Sequence, residues 1–182
     1  MKRAVLLLAI GSLIACAPPA QQPPTPSEID KMHGPAETSR QTGSWESDTS
    51  QNPVDDSTTV TALLEAQTGR SKFGKKIRLL LRCKSHKTEA YIDWDAYLGM
   101  DATLVTTRIG KHKAVQSEWQ ISTDYQATFY PGGGAGFIRQ LLGQDRLVVE
   151  LTPYGDSPVT AIFMLDGIDQ VVEPIKKECG WK

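Results

Sequence analysis

Runs of alternating apolar and polar residues, separated by clusters of Pro, Gly, Asp and Ser, recur along residues 43–182 and predict a mostly β domain. Only two short segments carry apolar residues at helical spacing. Ahead of that domain, residues 16–42 are dominated by Pro, Gln, Ser, Thr and Glu. They hold too little apolar surface to offset the entropy of ordering the chain. The expected architecture is an antiparallel β-sandwich or curled sheet with two short helices, preceded by a disordered tether.

The chain opens on Met1-Lys2-Arg3 and an apolar run from Ala4 to Ile14, with Pro18 and Pro19 close behind. The run is too short for a transmembrane helix and has the charged start and apolar middle of a signal peptide, 1–15. Leu13-Ile14-Ala15-Cys16 resembles the site where bacterial lipoprotein processing attaches lipid to a cysteine and then cleaves before it. Cys16 is therefore the expected lipidation site and new N-terminus; an ordinary signal peptide containing a cysteine is the alternative. Each buried methylene contributes about 0.8 kcal/mol, so several acyl chains hold a protein at a membrane almost permanently. Ala17 follows the sorting habit of Gram-negative outer-membrane lipoproteins, which makes the expected location periplasmic and lipid-anchored at the outer membrane. The 28 residues between Cys16 and Trp45 reach about 30 Å as a coil and about 85 Å in polyproline II.

The folded part is expected to begin near Gly43, where Trp45 signals a core, and to form one domain. Thr58 to Ala66 reads as a strand after the turn-like Pro53-Val54-Asp55-Asp56-Ser57. In Lys76 to Cys83, Ile77, Leu79, Leu81 and Cys83 share one face, and Lys76, Arg78 and Arg82 share the other with Leu80. Thr88 to Trp94 suits an antiparallel partner across the turn Lys84-Ser85-His86-Lys87. Shorter strands are expected at Ala102 to Ile109, Glu118 to Ser122 and Ala127 to Tyr130, with Trp119, Ile121 and Phe129 inward. Arg146 to Thr152 and Val159 to Leu165 form a hairpin joined through residues 153–158. The helices are expected at Phe137 to Leu142 and Gly167 to Glu178, the second kinked or starting late because of Pro174.

A formal net charge of −1 at pH 7 gives no global field toward nucleic acid or acidic partners. With Cys16 acylated, Cys83 and Cys179 are an even pair in an oxidising compartment and read as a disulfide, with two buried thiols as the alternative. Neither has a third Cys near it to complete a ligand set, so no metal is expected. No cofactor motif occurs either. The run Pro131-Gly132-Gly133-Gly134-Ala135-Gly136 lacks the Lys and Ser or Thr of a phosphate loop and reads as a surface loop.

His33, His86 and His112 are dispersed, and neither a nucleophile elbow nor a His-Glu-x-x-His helix is present, so the protein is expected not to be an enzyme. The remaining catalytic candidate is a carboxylate pair, Asp93 and Asp95. The strongest asymmetry is basic: Arg70, Lys72, Lys75, Lys76, Arg78, Arg82, Lys84 and Lys87 occur with no acid between Glu65 and Glu89. Lys76, Arg78 and Arg82 form a stripe able to meet an acidic partner, the anionic wall or lipid headgroups, or merely to solvate an outer face. Together with Tyr154 and Asp156 of the hairpin loop, they are the candidate partner contacts.

Several stretches in order resemble the VasI/TagO family of type VI secretion-associated proteins. They are Trp45 with Pro53-Val54-Asp55-Asp56; Leu81-Arg82-Cys83 with Thr88-Glu89-Ala90-Tyr91-Ile92; Trp119-Gln120-Ile121-Ser122-Thr123-Asp124 with Ala127 and Phe129; Pro153 to Phe163; and Cys179-Gly180-Trp181. The resemblance spans the domain and not the tether, and brings no catalytic residues. It implies a non-enzymatic envelope accessory of a contractile secretion machine, with a membrane contact through lipid and a protein partner from that machine. The other class is a peptidoglycan or glycan reader unrelated to secretion, stacking sugars on aromatics such as Tyr91 or Tyr130.

Overall fold

The computed structural model describes residues 40–42 and 44–181. The expected signal peptide, Cys16, His33 and nearly all of the expected tether lie outside the described residues. The described chain runs β1 (Arg40–Thr42), β2 (Trp45–Gln51), β3 (Thr58–Arg70), β4 (Lys76–Lys84), β5 (Lys87–Asp93), β6 (Ala102–Ile109), β7 (Val115–Ile121), β8 (Ala127–Phe129), α1 (Gly134–Leu141), β9 (Arg146–Leu151), β10 (Val159–Met164), α2 (Ile168–Val171) and α3 (Glu173–Glu178). β1 stands just ahead of Gly43, where the sequence places the start of the domain.

The strand order is β1-β2-β3-β10-β9-β6-β7-β8-β5-β4, and β4 also pairs with β3. That last pairing closes eight strands, β3 to β10, into a barrel, which corrects the sandwich or open curled sheet. Period-two alternation says that one face of each strand is buried, not whether a second sheet or the same sheet buries it. β1 and β2 extend outward from β3, β2 pairing with its first half from Thr58 to Leu64. The second half of β3 meets β10, with Thr68 opposite Ile162.

Between those halves the register with β4 shifts. Gly69 lies there at φ 98°, and a Cβ on it would stand 2.5 Å from the Thr160 carbonyl oxygen. Only glycine allows both the left-handed backbone and that approach.

Inside the barrel the expected inward row of β4, Ile77, Leu79, Leu81 and Cys83, is fully buried, as are Trp94 and Trp119, and Trp45 of β2 is buried in the same cluster. β8 departs from expectation. Its fully buried residue is Thr128, which accepts a hydrogen bond from the Trp94 indole at 3.0 Å. Phe129 is half-buried on the other face, stacked on Tyr91 at 4.8 Å. A buried indole N–H is stabilised by an acceptor, and a threonine supplies one where phenylalanine cannot.

Strand directions put the β3–β4, β5–β6, β7–β8 and β9–β10 loops at one end of the barrel, and the helices with the β4–β5 turn at the other. At the helical end, α1 packs so closely on β5 that a Cβ on Gly134 would meet the Glu89 backbone at 2.6 Å. Gly134 thus serves packing, at a helix with no side-chain cap, while Gly132 and Gly133 before it are exposed. The second expected helix is broken into α2 and α3, with Pro174 in the first turn of α3, where its missing N–H costs nothing.

Cys83 and Cys179 are joined by a disulfide with Cα atoms 5.8 Å apart. Around it, the Trp181 indole donates to Thr88 Oγ1 at 2.7 Å, and His86 Nδ1 lies 3.2 Å from the Glu178 carbonyl oxygen. Arg139 of α1 stacks over Trp181. The bond links residues 96 apart, and closing so long a loop in the unfolded chain stabilises the fold by up to about 4.7 kcal/mol. Urea unfolding with and without dithiothreitol is expected to show a loss of several kcal/mol on reduction; identical midpoints would contradict this role.

Candidate functional site

The basic stripe of β4 is neutralised by neighbours distant in sequence. Register places Arg78 opposite Asp93 and Arg82 opposite Glu89, and both pairs form ion pairs, Arg82 reaching Glu89 at 2.5 Å. Lys76 reaches Glu65 of β3 at 2.6 Å, and Lys75 reaches Asp95 at 2.9 Å. The acids absent between positions 65 and 89 are supplied across the sheet. Arg82 further lies over the Tyr91 ring, 5.1 Å from its centroid. The outer wall is therefore a ladder of alternating charge rather than a free cationic face, and exposed rungs of this kind contribute little each.

Asp93 and Asp95 are rungs of the same ladder. Asp95 accepts hydrogen bonds from Lys75 and from Ser71 at 2.9 Å. The Lys75 bond, acting against a smaller burial effect and aided by Ser71, holds its carboxyl below the ordinary range. A general acid needs the opposite shift. Burial works against the charged form of Glu89, but hydrogen bonds from Arg82 and Lys87 outweigh it and lower its pKa.

Tyr154 and Asp156, the other two sequence candidates, lie at the loop end. Tyr154 is exposed and meets Tyr97 edge to face at 5.7 Å, and Tyr97 meets Tyr125 in the same way at 5.9 Å. Backbone bonds stitch their loops together, Tyr154 N–H to the Tyr97 carbonyl at 3.1 Å and Leu98 N–H to the Tyr125 carbonyl at 3.0 Å. Lys72 of the β3–β4 loop approaches Asp156 at 3.9 Å. Phe73 and Met100 stand exposed on two of these same loops.

Five of the eight exposed large apolar side chains among the described residues are thus on the four loops of one barrel end. Clustering of this kind marks contact surfaces, and Tyr, Phe and Met are enriched in protein interfaces. Strand-based reading missed Tyr97 and Tyr125, whose signal is an aromatic residue inside a turn segment. Tyr125 even holds a left-handed φ of 63°. Tyr91 and Tyr130, the aromatics singled out for sugar stacking, are half-buried instead, Tyr91 on Phe129 and Tyr130 on Phe137 at 4.4 Å.

A family model described as type VI secretion system VasI, EvfG, VC_A0118 matches residues 12–181. No curated protein matches the chain. Among solved structures, the crystal structure of invasion associated protein b from Bartonella henselae is similar, with a TM-score of 0.54 and 9% identity, over 77% of this chain and 96% of that chain. At that identity the likeness is one of fold.

Because Glu89 titrates lower in the folded state, its pairing stabilises the protein above the ordinary glutamate value of 4.5 and is lost as pH falls through the lowered value. A Glu89→Gln variant is expected to start less stable at neutral pH and to lose less stability than the parent on acidification below that value. Parallel stability curves in urea titrations across this range would refute the assignment.

Proposed function

The chain belongs to the VasI family of type VI secretion proteins, and from that membership we propose that it is a non-enzymatic envelope accessory of the secretion machine. It is held to the outer membrane by lipid on Cys16 and meets a protein component of the machine through the loop end of its barrel. The observation that carries the contact is the tyrosine group Tyr97, Tyr125 and Tyr154, exposed yet fixed in place by loop-to-loop hydrogen bonds. Preorganised aromatics contribute contact area with little ordering cost on binding. The stripe Lys76, Arg78 and Arg82 supports docking less, because its charges are already satisfied within the sheet.

A Tyr97→Ala, Tyr154→Ala double variant is expected to cost about 2 kcal/mol or more of partner affinity and to lower export by the machine in cells lacking their own copy. Its melting temperature should match the parent, since both rings are exposed. Undiminished export at equal protein level would remove the loop end from the mechanism. Retention of the parent on purified sacculi without any protein partner, lost in the same double variant, would replace the proposal with the glycan reader. A Cys16→Ser variant is expected in the soluble periplasmic fraction on cell fractionation, and its persistence with the membrane would rule out the lipid anchor.

A further inference from the structure

At the helical end, a cleft of about 620 Å³ opens between the β6–β7 hairpin and α1. Its volume lies within the roughly 300–1,000 Å³ of small-molecule sites. The walls are apolar: Ile109 and Val115 from the hairpin, Tyr130 and Phe137 from the other side. Tyr130 and Phe137 are stacked on each other, with Trp119 edge-on behind both at 5.3 and 5.8 Å. This aromatic wedge gives the cleft a rigid floor.

The polar atoms of the wall are largely used within the protein. The Thr107 hydroxyl bonds to the Val115 carbonyl, and Ser117 Oγ accepts from the Trp119 indole at 3.0 Å. The rim is different. His112 and Lys113 line it, and Lys111 adjoins them on the same turn. Among the described residues no carboxylate lines the cleft, and no ion pair engages Lys111 or Lys113. Lys72, Lys75, Lys76, Arg78, Arg82 and Lys87, by contrast, are all ion-paired, Arg82 and Lys87 sharing Glu89. Unpaired cations beside an apolar cleft complement a ligand with an anionic head and a hydrocarbon body.

We propose that this cleft binds a single long acyl chain bearing an anionic head group, a site separate from the tyrosine end. The chain lies along Ile109, Val115, Tyr130 and Phe137, and the head group meets Lys113, with Lys111 and His112 beside it. A fatty acid and a lysophospholipid share this chemistry.

The test uses the full chain with Cys16→Ser, which removes any covalent lipid. Palmitate, 1-palmitoyl lysophosphatidylglycerol and neutral hexadecanol, each below its aggregation limit, are titrated calorimetrically. Saturable one-to-one binding of an anionic probe, at least about tenfold weaker for hexadecanol, is the expected result, and which anionic probe binds tighter identifies the source. A Lys111→Glu, Lys113→Glu variant, altered only at exposed positions, should weaken anionic binding about tenfold or more with no change in melting temperature. Val115→Trp, at a 59% exposed position on the wall, should block all probes by filling the space. Absence of binding by both anionic probes, or binding unchanged in either variant, overturns the proposal.

Discussion

Closure of the sheet through β3 is the constraint on which the rest of the structure depends. One strand of 13 residues pairs with β2 and β4 over its first half and reaches β10 over its second. A straight strand cannot satisfy both edges of a small barrel, so the ladder slips between Glu65 and Arg70, and Gly69 lets β3 and β10 come together. Once that contact is made, every inward residue of eight strands faces the same interior. Three fully buried tryptophans then share one core rather than a gap between two sheets.

Closure also decides what charge on the outer wall means. On an edge strand, Lys76, Arg78 and Arg82 would serve to repel other strands. In a barrel the strand has partners on both sides, and those partners supply Asp93 and Glu89 at matching register and Glu65 on the diagonal. A stripe that looks strongly basic in sequence is therefore matched by acids in space. The same pairing draws Glu89 toward Arg82, which with Lys87 of its own strand keeps it ionised at lower pH than a free glutamate.

How much of this was legible in the sequence follows from which forces shape each element. β4 and β6 were readable because packing against a core imposes alternation, and the β6 bounds Ala102–Ile109 agree with the structure. β2, Trp-Glu-Ser-Asp-Thr-Ser-Gln, was not, since Trp45 is its one apolar residue. Seven consecutive pairings with β3 hold it through backbone hydrogen bonds that leave no side-chain pattern. The Cys83–Cys179 pair was legible from the cysteine count and the oxidising compartment that the first residues of the chain predict. Tyr154 was singled out but not its grouping with Tyr97 and Tyr125, because three residues from three loops become neighbours only after closure, and nothing in the spacing of positions 97, 125 and 154 records it.

The two ends of the barrel are secured by different means, and this bears on where function can reside. Cys83–Cys179, the Trp181 to Thr88 bond and the close seat of Gly134 fasten the helical end with contacts that tolerate little change. The loop end is held by backbone bonds between loops, which survive replacement of the exposed side chains they carry. Side chains there can be selected for a partner without disturbing the core, the usual arrangement for binding loops on a rigid scaffold. The cleft belongs to the fastened end, where the wedge of Trp119, Tyr130 and Phe137 is part of the packing itself. Its shape is therefore tied to the stability of the fold, whereas the cations at its rim stand on an exposed turn and can vary freely. Shape set by packing and head-group preference set by the turn are separable properties, because the forces that fix them act on different residues.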